Sequence, residues 1–112
     1  MQLKKIILTG PTGAVGVSLI LEMIAHDIQV TAICRPNSKR LSVIPEHRLV
    51  NIVECDISNL SSLKDALSHD YDAFYHFAWD GPFGPPRQDI RRQANNIIYT
   101  LDAVDLAAAI GC

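Results

Sequence analysis

The chain has 112 residues, 48% of them apolar and 20% charged, with 10 Lys and Arg against 12 Asp and Glu for a formal charge of −2. That length fits one domain with one core, and the apolar share excludes a disordered tail. The near-neutral balance supplies no basic stripe, which excludes a nucleic-acid surface.

The first stretch, MQLKKIIL, imitates a leader, two lysines followed by an apolar run. Gly10-Pro11-Thr12-Gly13 and then Glu22 interrupt it, so neither a signal peptide nor a membrane span of roughly 18 residues is expected. Residues 4–9 (KKIILT) read as a buried parallel strand, short, β-branched and bounded by Gly10. From Gly13 the period changes: Val15, Leu19 and Met23, with Ile20 and Ile24 beside them, form one helical stripe. Residues 28–34 (IQVTAIC) are the second strand, stopped by the turn cluster Arg35-Pro36-Asn37-Ser38. Residues 49–55 (LVNIVEC) are the third. Ser58 and Asn59 offer caps for a helix whose Leu60, Leu63 and Leu67 share a face. Residues 71–77 (YDAFYHF) form the fourth strand, and a Gly/Pro-rich loop follows over 80–86. In the last helix Ile90, Ala94, Ile97, Leu101, Val104 and Ala108 step by four and three residues alternately, and Gly111 is its expected stop. All three helical stripes are read as core.

Strands alternating with helices imply parallel pairing through right-handed crossovers. The expected fold is an α/β, Rossmann-like, doubly wound parallel sheet of order 3-2-1-4 with three helices, truncated after about four strands.

Between the first strand and first helix lies Thr9-Gly10-Pro11-Thr12-Gly13-Ala14-Val15-Gly16. Early glycines permit positive φ and let backbone approach a pyrophosphate without a Cβ in the way. The following helix points free N–H groups and its positive dipole end at the phosphates. Gly16 lets that helix pack closely on the sheet. Strand before, amphipathic helix after and a second strand ending near residue 34 supply the context that a glycine triplet alone lacks. Thr9, Gly10, Thr12, Gly13, Ala14, Val15 and Gly16 are therefore candidate cofactor contacts.

The spacing T-G-x-x-G-x-x-G resembles the extended short-chain dehydrogenase/reductase superfamily, the NAD-dependent epimerase/dehydratase group. Asp56-Ile57, after the third strand, is similar to that family's adenine-contacting pair. His76-Phe77-Ala78-Trp79 resembles its H-x-A-[AW] motif, which lines the cofactor and puts Phe77, Ala78 and Trp79 in the site. Asn96, in N-x-x-Y-T, resembles the Asn of N-x-x-G-T, which braces the central strands, and the resemblance counts it with the cofactor-site residues. Read from chemistry alone, Asp56 also has a plainer reading as a helix cap, and His76 reads as a core histidine rather than a catalytic one.

An acidic residue normally ends the second strand of NAD enzymes, on the ribose hydroxyls; here Cys34-Arg35 stands there. The Arg35 guanidinium suits a 2′-phosphate, with Ser38, Lys39 and Arg40 as further donors. The expected cofactor is NADP, with NAD as the alternative. Trp79, Phe83 and the residues between them read either as a substrate-facing lid or as a surface loop.

The resemblance also implies a catalytic Tyr-x-x-x-Lys pair, which is missing: four residues after Tyr71, Tyr75 and Tyr99 stand Tyr75, Trp79 and Ala103, and no Lys follows Lys64. No catalytic residue is therefore assigned. Residues 1–112 read as the N-terminal half of a dinucleotide-binding domain, with catalytic and substrate regions absent. The implied parent is an epimerase, dehydratase or reductase, with a nucleotide-linked sugar as the substrate the resemblance suggests. A silent redox-sensing module and a bare α/β domain are the competing readings. Cys34, Cys55 and Cys112, odd in number and without C-x-x-C spacing, point to reduced thiols in a cytoplasm and to neither disulfide nor zinc. Self-association through an exposed sheet edge or the last helix is expected; a membrane or nucleic-acid partner is not.

Overall fold

The computed structural model describes residues 2–112. Four strands, β1 (Lys5–Thr9), β2 (Gln29–Cys34), β3 (Val50–Glu54) and β4 (Ala73–His76), form one sheet. Its order is β3-β2-β1-β4 and every pairing is parallel. Each strand lies within its expected span and is one to three residues shorter. Two α-helices, α1 (Ala14–Ala25) and α2 (Ile90–Ala109), and a 3₁₀ run, Ile57–Leu63, supply the three expected helical segments.

β1 is central, and its side chains alternate between two cores. Ile6 and Leu8 join Ile20 and Met23 of α1 with Val30, Ala32 and Cys34 of β2. Ile7 points the other way, to Ile33, Leu60, Leu63, Ala103, Leu106 and Ile110. Both faces of β1 are covered, which is why its apolar run is continuous. Tyr71 and Thr31 are both buried, and their hydroxyls pair at 2.7 Å. The Asp72 carboxylate accepts from the Lys4 and Lys5 amides at 2.8 and 3.0 Å, tying the approach of β4 to the start of β1.

Two local expectations are corrected. The segment after β3 is a 3₁₀ run with non-helical backbone at Asn59 (φ −130°), although Leu60 and Leu63 are buried as expected. Its cap is Asp56, the plainer of that residue's two readings, whose side chain accepts from the Ser58 amide; Ser58 and Asn59 lie inside the run. An α-helix fails here because neighbouring side chains take the carbonyl it needs: the Ser62 hydroxyl donates to Asn59 O at 2.8 Å, and the Cys55 thiol lies 3.4 Å from the same oxygen.

The second correction concerns α2. The stripe Ile90–Ala94–Ile97–Leu101–Val104–Ala108, read as core, faces solvent: Ile97 is 63% exposed, Leu101 59% and Val104 60%. The helix buries its opposite face, Asn96, Ala103 and Leu106, with Ile110 just beyond it. α2 is thus apolar on two sides and uses only one against the sheet. It stops as expected at Gly111, whose φ is +108°, with the Cys112 amide bonded back to Ala107 O at 2.9 Å. Among the described residues no helix is long and apolar enough to cross a membrane.

Candidate functional site

Parallel pairing puts the C-terminal ends of all four strands at one edge, and the glycine loop leaves β1 there. Thr9 closes it. Its hydroxyl accepts from the Ala78 amide at 3.1 Å and lies 2.8 Å from His76 Nδ1. A hydroxyl offers one proton and two lone pairs, so Thr9 can hold the Ala78 amide and the His76 ring at the same time. Burial holds His76 below the ordinary histidine value. Thr9 and His76 therefore clamp β1 to β4.

The three glycines of the loop answer to different constraints. Gly10 has φ +70°, and a Cβ there would lie 2.9 Å from the Ala78 nitrogen and the Phe77 carbonyl carbon. At Gly16 a Cβ would come within 2.2 Å of Gly10 O. These two serve the fold itself. Gly13 does not: an added Cβ meets only Gly10 O, at 3.9 Å, and otherwise enters open space. α1 starts immediately after Gly13, with Val17 N bonded to Gly13 O at 2.9 Å and no side chain capping the terminus. The amides of Ala14, Val15 and Gly16 consequently have no partner within the helix. Their positive end faces the space beside Gly13, a setting that favours an anion.

That space is the middle of a cleft of about 870 Å³. At one end it reaches Arg35, Ser38 and Arg40 after β2, and Asp56 and Ile57 after β3; at the other it reaches Phe77, Ala78, Trp79 and Phe83. The turn after β2 passes through Asn37 at φ 59°. Ser38 and Arg40 line the cleft and the exposed Lys39 does not, so Arg40 is the better placed cation. Both Ser58 bonds to Asp56 fall on Oδ1, which leaves its capping role to one carboxylate oxygen. Those two bonds foremost, with the Arg35 charge as a lesser cause, hold the Asp56 carboxyl below its ordinary value.

Of the expected contacts, the cleft brings together Gly10, Thr12, Gly13, Ala14, Val15, Gly16, Arg35, Ser38, Asp56, Ile57, Phe77, Ala78 and Trp79. Thr9, Lys39 and Asn96 are not among its lining residues. Asn96 is buried, and it grips one residue of the loop after β4: Oδ1 accepts from the Asp80 amide and Nδ2 donates to Asp80 O, each at 2.9 Å. It braces that loop, whereas the resemblance implied the strands. Arg92 and Tyr99 also line the cleft; nothing in the sequence singles out Arg92, and Tyr99 enters only as the tyrosine of N-x-x-Y-T, without an expected contact. Arg92 reaches Asp80 Oδ1 through Nε at 2.9 Å and through its terminal nitrogen at 2.8 Å. Gln93 was likewise missed; its one signal is its position three residues before Asn96, a second amide on the same helical face. Among the described residues no group of three or more His, Cys, Asp and Glu converges as a metal site.

Sheet order, alternating crossovers and the loop at the head of α1 define a Rossmann-like α/β domain. Within that class the chain belongs to the NAD dependent epimerase/dehydratase family, which it matches over residues 6–112. Among solved structures it resembles the Bordetella bronchiseptica enzyme WbmF in complex with NAD+, at 22% identity and a TM-score of 0.76, over 92% of this chain and 32% of that one. WbmG from the same organism, in complex with NAD and UDP, shares 17% identity with a TM-score of 0.77 over 97% of this chain and 35% of its own. UDP-glucose 4-epimerase from Thermotoga maritima, with UDP-glucose, shares 18% with a TM-score of 0.77 over 96% and 35%. The chain thus spans about a third of the length of each. No match to a curated protein is found.

Proposed function

We propose that residues 1–112 form the cofactor-binding portion of an NAD(P)-dependent epimerase, dehydratase or reductase whose substrate is a nucleotide-linked sugar. The observation that carries this reading is the open face of Gly13 beside the uncapped start of α1, inside a cleft whose volume falls in the range of small-molecule sites, roughly 300–1,000 Å³. The amides of Ala14, Val15 and Gly16 hold the pyrophosphate. Asp56 and Ile57 border the adenine, and Phe77, Ala78 and Trp79 wall the other half. When bound, the nicotinamide supplies an exchangeable hydride. The Tyr-x-x-x-Lys pair is not among these residues, so the chain by itself binds without turnover. Complexes of WbmF with NAD+ and of WbmG with NAD and UDP support the cofactor class and the nucleotide link.

NADP is the preferred dinucleotide in this proposal. Arg35 and Arg40 face the cleft at the end of β2, where a ribose-binding carboxylate would repel a 2′-phosphate. Calorimetric titration with NADPH and NADH tests the choice. The wild type should bind NADPH more tightly, and Arg35→Asp should remove about 1.5–3 kcal/mol of NADPH affinity, the range for a hydrogen bond to a charged group. Equal affinities would return the choice to NAD, and no binding of either would end the proposal. The missing catalytic pair favours one second reading, a non-catalytic redox-sensing module. That module would bind reduced and oxidised forms with unequal affinity.

A second copy of the chain covers the solvent face of α2 in this proposal, in preference to the sheet edges at β3 and β4. Ile90, Ile97 and Val104 recur every seven residues, with Ala94, Leu101 and Ala108 four beyond each, the seam of a two-helix coiled coil. Arg91 and Asp105, two heptads apart on the same flank, meet across that seam when two copies run antiparallel. Arg91→Asp or Asp105→Arg should loosen the dimer about tenfold in sedimentation equilibrium, and the double reversal should restore it. A wild type that stays monomeric refutes the pairing. Reduced thiols, with Cys34 and Cys55 buried and Cys112 exposed, suit a cytoplasmic location.

A further inference from the structure

We propose that Gln93 is a positioning residue for the nicotinamide half of the dinucleotide, acting by fixing the Trp79 indole as one wall of the cleft. This rests on the function proposed above: with phosphates at Gly13 and adenosine toward Arg35, the remaining half of the ligand runs toward Trp79 and Phe83.

The geometry is specific to Gln93. Its Oε1 accepts from Trp79 Nε1 at 2.8 Å, and its Nε2 donates to Gly81 O at 2.8 Å and Pro86 O at 3.2 Å. The orientation of this amide is set by its partners, since an indole N–H only donates and a carbonyl only accepts. The backbone closes around it: Gly81 has φ +69°, and a Cβ there would lie 3.2 Å from Gln93 Nε2. Asn96 and Arg92 also hold the loop, but both hold Asp80. The indole itself is tied by Gln93.

Trp79 is 48% exposed and lines the cleft. An exposed indole without that tie would sample several rotamers, and a ring arriving beside it would have to order it first. Held at its polar edge, the indole offers a fixed flat face, and planar rings associate with such faces by offset stacking. The nicotinamide ring is the planar group at that end of the ligand.

The chain's single tryptophan is Trp79, so its emission reports on this wall alone. The test compares NADPH with its adenylate half, 2′,5′-ADP (NADH and AMP are the matching pair), against the wild type, Gln93→Leu, Trp79→Phe and the double variant. Gln93→Leu should weaken NADPH about three- to tenfold, the worth of one hydrogen bond, and leave 2′,5′-ADP within about twofold. Its Trp79 emission should move to the red. Trp79→Phe should weaken NADPH in the same sense, and the double variant should be no worse than the weaker single one. Unchanged NADPH affinity in Gln93→Leu overturns the proposal, as does equal weakening of both ligands, which would mark a loosened fold. If Gln93→Leu fails to fold, Trp79→Phe carries the same two-ligand comparison, and unchanged NADPH affinity there overturns the proposal equally. A wild type that binds neither ligand would instead refute the function on which the proposal rests.

Discussion

Gly13→Ala is expected to leave the fold standing and to abolish tight dinucleotide binding, whereas Gly16→Ala is expected to break the fold itself. Gly13 has φ −78° and ψ 165°, a conformation open to any residue, and its added Cβ finds no protein atom closer than 3.9 Å. Its stability should stay within about 0.5 kcal/mol of wild type. The same methyl group occupies the space beside the free amides of α1, and affinity should fall by about a hundredfold as the pyrophosphate is pushed outward. At Gly16 the Cβ would come within 2.2 Å of Gly10 O, a backbone atom that cannot swing aside. Overpacking of this kind costs about 3 kcal/mol or more, against which the better helix propensity of alanine returns about 1. Denaturant titration separates the two variants, and calorimetry with NADPH reads the site. Tight binding by Gly13→Ala would show that the loop does not hold phosphate.

The second large effect is on α2. Leu106→Ala should destabilise the chain by about 3 kcal/mol, because Leu106 is fully buried in one core with Ile7, Ile33 and Leu60 and its loss leaves a cavity. Leu101→Ala, five residues earlier on the same helix, should change monomer stability by no more than about 0.5 kcal/mol, since its side chain is 59% exposed. Its cost should appear in association instead. A reversed order of the two losses in urea unfolding would mean that α2 lies on its other face.

That pair of leucines also marks where the sequence is ambiguous. A stripe of period 3.6 establishes that a helix has an apolar face; it does not say what the face meets. On α2 the regular stripe is the solvent one. The sheet-facing side carries Asn96 among Ala103, Leu106 and Ile110, and reads less clearly because a polar residue interrupts it. The strands and their order were legible, since continuous apolar runs alternating with helical periods leave few parallel arrangements. The 3₁₀ run after β3 was hidden by its leucines, whose spacing suits an α-helix that local serine bonding prevents. In the cleft, Gly10, Gly13 and Gly16 were visible because glycine spacing at a strand–helix junction has a backbone cause. Lys39 and Arg40 were not separable, because which of two adjacent cations faces inward depends on the left-handed turn at Asn37. Gln93 escaped notice because its partners, Trp79, Gly81 and Pro86, belong to a loop of no regular period.

The Thr9 hydroxyl joins the strand that launches the glycine loop to the segment carrying Ala78 and Trp79, and Gly10 passes within touching distance of the same segment. A shift of either segment would strain that bond and that contact. The protein thus ties the two segments together at the middle of the cleft through its own atoms, with no ligand needed to bridge them.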